Sequence, residues 1–246
     1  MEHLLEICVD SLESALAARE GGADRLELCA NLLIGGTSPS PALVRQVLRE
    51  VDIPVNVLLR PRFGDFCYTE PEKEATLWEV EQCLALGANG VVVGALTPDG
   101  SLDAPFLARC VHAAGRGHLT LHRAFDVCRD PFEALEQAAA LGFDTILTSG
   151  QRAKAPQGVQ LLGELIRRAD GRLQILAGGG VGPEDLEDLA RAGVRQFHLS
   201  AKRAVDGPMR FRRPEVPMGL PGADEYQREY TDAAMVRQVK QRLREL

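Results

Sequence analysis

Eight short apolar runs recur along the chain, each followed by a stretch whose apolar residues carry helical spacing. The runs are LLEIC (4–8), RLELC (25–29), VNVLLR (55–60), GVVVG (90–94), LTLHR (119–123), TILTS (145–149), LQILAG (173–178) and QFHLS (196–200). Between them lie segments such as SLESALAAREGG and DPFEALEQAAALG, whose period is that of an amphipathic helix. Several close on glycine, the expected stop, and the second opens with Asp130 and Pro131, a cap followed by proline at the first helical position. Eight strand-then-helix units within 246 residues match the size of a (β/α)8 TIM barrel. A doubly wound open sheet also alternates, but with fewer strands as a rule. The expected architecture is α/β, one TIM-barrel domain over 1–246. It includes a long irregular loop at 203–230, rich in Pro, Gly, Met and Arg, before the last helix. A loop of that length suits a lid or a contact between copies in a homo-oligomer.

The composition narrows the function classes. With 28 basic and 35 acidic side chains the formal charge is -7, which speaks against nucleic acid as a partner. Neither a basic apolar leader nor a run of 18 apolar residues is present, so the reading is no membrane segment and no export. The six cysteines have no C-x-x-C pairing; the expectation is reduced thiols in the cytoplasm.

Side chains alternate across a strand, so each strand divides into helix-facing and barrel-facing sets. The helix-facing sets are aliphatic or aromatic. The barrel-facing sets are polar: Glu6 and Cys8, then Arg25, Glu27 and Cys29, then Asn56 and Arg60, then Thr120 and His122, then Gln196, His198 and Ser200. Burying so many charges is costly unless they pair or bind something. In a TIM barrel the C-terminal ends of the strands are where function sits. On this reading LHRAFD, with His122, Arg123 and Asp126, is the contribution of strand five to a charged pocket. A structural ion-pair layer of Glu6, Arg25 and Glu27 is the plainer alternative.

Three chemistries fit these residues. As acid–base catalysts, Glu6, Glu27, His122 and His198 are suitable donors and acceptors, with Arg60, Arg123 and Asp126 beside them to hold a small anionic or phosphorylated metabolite. No strand segment carries a lysine, so a Schiff-base mechanism is disfavoured. As an anion site, Gly178, Gly179 and Gly180 after strand seven, with Ser200 after strand eight, offer backbone amides where barrels often hold phosphate. As metal ligands, two histidines with Glu6 or Glu27 suit a divalent ion. Cys8 and Cys29, at equivalent ends of adjacent strands roughly 5 Å apart, suit a soft ion such as copper(I).

The blocks LEICVDSLESALAAREGGADRLELC, GGTSPS, RPRFGDFCY, VVVGALTPDG, LHRAFD, ILTSG, AGGGV and FHLSAKR stand in order over residues 4 to about 203. Together they resemble the CutC family, named for copper homeostasis. GGTSPS differs from the family's usual GGTTPS by one hydroxyl residue. The resemblance implies a cytoplasmic TIM barrel, with copper(I) as the ion bound and Cys8 and Cys29 as the cysteine pair associated with it. It implies no reaction.

Overall fold

Eight parallel strands close on themselves in sequence order, each hydrogen-bonded to its neighbours, with the first pairing the eighth. They are β1 (Leu4–Val9), β2 (Arg25–Leu28), β3 (Val55–Leu58), β4 (Gly90–Val93), β5 (His118–Leu121), β6 (Thr145–Thr148), β7 (Gln174–Gly178) and β8 (Gln196–Leu199). The helices are α1 (Leu12–Gly21), α2 (Pro41–Glu50), α3 (Glu70–Ala85), α4 (Ala104–Ala114), α5 (Pro131–Leu141), α6 (Val159–Ala169), α7 (Leu186–Arg191) and α8 (Ala233–Glu245). This computed structural model describes residues 3–246 except 217 and 221. The (β/α)8 barrel read from the eight-fold alternation is the fold.

Local signals set the helix ends. Ser11 accepts from the Ser14 amide to start α1. Asp130 accepts from the Phe132 and Glu133 amides ahead of Pro131 to start α5. Gly22 and Gly142 end α1 and α5 in the left-handed region, at φ 91° and 94°.

The alternation along each strand separates two cores. Outside the barrel Leu5, Ile7, Leu26, Leu28, Val57, Val91, Val93, Leu121, Ile146, Ile175 and Phe197 join the helices' apolar faces in one cluster. Inside it Cys29, Leu58 and Val92 form a small separate cluster, and the charged residues share the interior with a few aliphatic side chains such as Leu147. The register aligns Glu6 with Arg25 on one side and His198 on the other, and Glu27 with Asn56. The charged residues assigned by parity to the interior are therefore brought together there.

Most strands end a residue or two from the sequence reading, β3 stopping at Leu58 so that Arg60 lies beyond it, and two further differences matter for the site. The segment 203–230 is not irregular throughout. Its ends pair as antiparallel β9 (Lys202–Asp206) and β10 (Gln227–Thr231), with Pro217 and Pro221 outside the described residues. Strand periodicity in KRAVD and QREYT is masked because this two-stranded arm has no buried face to mark with apolar residues. β5 ends at Leu121, so His122 and Arg123 are not strand residues. The His122 amide makes the last ladder bond, to the Val93 carbonyl at 2.9 Å. The chain then enters a 3-10 turn, Arg123–Val127, which His122 caps. No helix among the described residues is long and apolar enough to cross a membrane.

Phe197 is wholly buried in the outer core. Phe197→Ala is expected to cost about 3–5 kcal/mol of folding stability, read as a lowered urea midpoint with an unchanged slope.

Candidate active site

The barrel floor is organised around Glu6, which is 1% exposed. Its carboxylate accepts from Arg25 Nε at 2.5 Å and from His198 Nδ1 at 2.8 Å. Arg25 also donates to the Gln196 side-chain oxygen at 3.3 Å. Burial by itself would raise the Glu6 pKa, but hydrogen bonding to His198 and the Arg25 charge outweigh it and bring the carboxyl down to about 2. Burial would likewise lower the His198 pKa. Cys8, Glu27 and Glu6 around the ring outweigh it and hold the pKa well above the ordinary value, so the ring is an imidazolium.

Glu27 lies one step up this wall and is also buried, 3.8 Å from His198 Nε2. Burial, reinforced by the Glu6 charge, pushes its carboxyl up to about 7 against the opposing pull of His198 and Arg25. Two carboxylates in one interior are thus driven apart in acidity, one permanently charged and one poised near neutrality. That separation is what assigns acid–base roles in a catalytic pocket.

Above this floor opens a cavity of about 260 Å³, walled by Cys8, Glu27, Arg60, His122, Arg123 and His198 among others. Gly179, Gly180 and Ser200 close one side, and Leu58, Phe66 and Leu147 give it apolar surface. Arg60 is 8% exposed. It donates to the carbonyls of Ile34, Gly36 and Gly64 at 3.3, 3.0 and 2.9 Å. It has no carboxylate partner among the described residues, and its buried Nε has no acceptor. Its guanidinium stacks on Phe66, 5.0 Å from the ring centre, and Phe66 in turn lies 5.0 Å from the His122 ring.

Burial, then the Arg60 charge, pushes His122 down to about 3, so its ring is neutral. Nδ1 accepts from the Ala124 amide at 3.1 Å, which leaves the proton on Nε2. That N–H is buried without an acceptor among the described residues. The ring can lie where it does because residue 94 is glycine. A Cβ there would stand 2.5 Å from ring atoms of His122.

Other expectations sort differently. Asp126 does not line the cavity. It accepts from Arg123, Thr148, Ser149 and Gln151, a saturated carboxylate whose effect is to hold Arg123 in place. Arg123 donates to Ser149 Oγ at 2.9 Å. Gly179, at φ 101°, lies so close to Arg123 that a Cβ would meet its guanidinium carbon at 3.1 Å. Gly178 is below the cavity, against Leu147 and His198.

Cys8 and Cys29 are not level. The register places Cys8 opposite Glu27, so Cys29 is one inward-facing layer nearer the mouth, its thiol donating to the Val9 carbonyl at 3.3 Å. Parity assigned both to the interior but could not supply this stagger. Glu6, Glu27 and His198 bring ligand-capable atoms within 4.8 Å of one another. A divalent ion bound by the Glu6 carboxylate would have to compete there with Arg25 and His198, whereas the Glu27 carboxyl and His198 Nε2 carry no hydrogen bond among the described residues to give up. Sequence reasoning missed Leu32 and Gly35, which the loop after β2 folds onto the cavity. The available signal was two leucines in a glycine-flanked loop.

A family model described as the CutC family matches residues 3–203. A family protein CutC of Chromobacterium violaceum is 45% identical over 244 residues, covering 99% of each chain. A copper homeostasis protein cutC homolog of Mus musculus is 42% identical over 236 residues, 95% of this chain and 87% of its own. A solved CutC structure from Streptococcus agalactiae superposes with a TM-score of 0.76 at 30% identity, over 80% of this chain and 98% of the other.

The two carboxylates give opposite pH dependences. Glu6 ionises at about 2 when folded against an ordinary 4.5. Its contribution to stability is present above about pH 4.5 and is lost as pH falls towards 2. Glu27, at about 7 when folded, favours the fold while protonated, below about pH 4.5, and loses that contribution as pH rises through 7. Glu6→Gln is expected to cost about 3–5 kcal/mol at pH 7, because it breaks a buried pair, with the deficit shrinking towards pH 3. Glu27→Gln should flatten stability between pH 5 and 8. Urea titrations at each pH measure both.

Proposed function

Since the chain belongs to the CutC family, and its barrel mouth has the charge pattern just described, we propose that it is an enzyme acting on a small anionic metabolite. Arg60 and His122 bind the anion, with Arg123, already paired with Asp126, beside them, and Glu27 and His198 handle protons. The observation that carries this reading is Arg60, a guanidinium buried at the cavity wall without a carboxylate among the described residues. An uncompensated buried cation is expensive, and a ligand anion supplies the missing charge. The amides of Gly179 and Gly180, with Ser200, support a phosphate or second carboxylate at the opposite wall. The cavity volume matches a metabolite of few heavy atoms, since a water occupies about 30 Å³. Free thiols at all six cysteines support a cytoplasmic location.

The expected behaviour is a rise in Tm with at least one of acetate, pyruvate, inorganic phosphate and glycerol phosphate. Arg60→Met should weaken that binding about 10- to 100-fold, the worth of a charged hydrogen bond. If none of the four raises Tm, or Arg60→Met binds as the wild type does, the anion reading fails.

A second reading is copper(I) held by Cys8 and Cys29, favoured by the name of the mouse relative and by the position of Cys8 on the cavity wall. Copper(I) selects thiolates. Burial, then the charges of Cys8 and Glu27, raises the Cys29 pKa well above the ordinary thiol value, so such binding must expel a proton. Titration of copper(I) against a chromophoric chelator distinguishes the readings. A near-stoichiometric site abolished by Cys8→Ser with Cys29→Ser establishes copper handling. Weak binding indifferent to those substitutions is the outcome expected if the pocket serves a metabolite.

A further inference from the structure

The anion-binding reading leaves the reaction open, and two groups on the cavity wall narrow it. Glu27 comes from β2 and His122 follows β5, so they reach the cavity from well-separated strands. Glu27 makes no hydrogen bond to protein among the described residues; its nearest charged neighbour is His198 at 3.8 Å. It is a carboxylate free to take a proton from whatever occupies the cavity. His122 is the complement. Its Nδ1 is occupied by the Ala124 amide, and Nε2–H is a buried donor with no protein acceptor. Burial, and then the Arg60 charge, keeps the ring neutral.

From this pairing, and resting on the anion-binding reading, we propose that the pocket enolises a small carbonyl compound bearing a carboxylate or phosphate. Glu27 is the base at carbon, and the neutral His122 is the hydrogen-bond donor to the carbonyl oxygen. In the step, a Glu27 oxygen takes the proton on the carbon next to the carbonyl. The C–H electron pair becomes the new C=C bond, and the carbonyl π pair moves onto oxygen as an enolate. The enolate accepts from His122 Nε2–H and is stabilised by the Arg60 charge. Glu27, now a carboxylic acid, returns a proton to the same carbon after exchanging with solvent, and the electron pair on oxygen re-forms the carbonyl, so no co-reactant is consumed. A neutral imidazole suits this role because it stabilises the enolate by hydrogen bonding without forming an over-acidic partner.

Competing chemistry is less well served. An imine needs a free amine, and the one lysine on the cavity wall, Lys202, is paired with Glu229.

The test is proton NMR of hydrogen–deuterium exchange at carbon in D2O, on the full chain. The compounds are pyruvate, 2-oxobutyrate, dihydroxyacetone phosphate and glyceraldehyde 3-phosphate, with binding of each read separately by calorimetry. At least one bound compound should exchange faster than in protein-free buffer. Glu27→Gln should abolish the exchange while the compound still binds, which shows that the variant is folded. His122→Gln should slow it about 10²- to 10³-fold, the usual effect of removing one donor to a developing oxyanion. Binding without catalysed exchange, or exchange that survives Glu27→Gln, overturns enolisation and leaves anion binding standing. No binding of any compound overturns both.

Discussion

A carboxylate taken almost wholly out of water needs compensation, and Glu6 receives it from Arg25 and His198. These three residues come from β2, β1 and β8, so one ion-pair cluster stitches together the seam where the barrel closes. The cluster also sets the chemistry above it. Burial, reinforced by the Glu6 charge, pushes the Glu27 carboxyl up to about 7, against the opposing pull of His198 and Arg25. The floor is structural, and the acidity of the group resting on it is a consequence of that structure.

The mouth follows a different logic. Arg60 is fixed by three carbonyls rather than by a carboxylate. Carbonyl dipoles hold its geometry without cancelling its charge, so the cation is positioned yet uncompensated. Phe66 lies against the guanidinium and meets the His122 ring at a tilt, and the Arg60 charge helps burial to keep His122 neutral. Arg123, by contrast, is neutralised by the saturated Asp126. The two arginines of the mouth are therefore not equivalent, although the sequence offers both as anion partners.

Much of the fold and part of the site were legible in the chain. The alternation of apolar and helical segments, the caps at Asp130 and the glycine stops marked the units. Strand parity gathered Glu6, Arg25, Glu27, Asn56 and His198 on the inner face. Arg60 and His122 were also found by parity, but beyond the strand ends it held only by proximity. His122 proved to cap a turn, where its ring is fixed by Gly94 and Ala124 rather than by the ladder. Asp126 was legible as a charged neighbour, but not as one whose acceptors were all occupied. The arm formed by β9 and β10 was illegible as strand because neither of its faces is buried.

The sequence by itself determined the barrel, its two separated cores and the membership of its charged interior. Each of these follows from the period of apolar residues along a strand or helix, a property carried by neighbours in the chain. Only the tertiary structure decided which charges cancel. Glu6 finds Arg25 and His198 across the closing seam, and Asp126 takes up Arg123, while Arg60 meets carbonyls and the Phe66 ring but no carboxylate among the described residues. The stagger that sets Cys8 beside Glu27, one layer below Cys29, is likewise a matter of register between strands. Pairing depends on distances between residues far apart in sequence, and the closure of eight strands sets those distances.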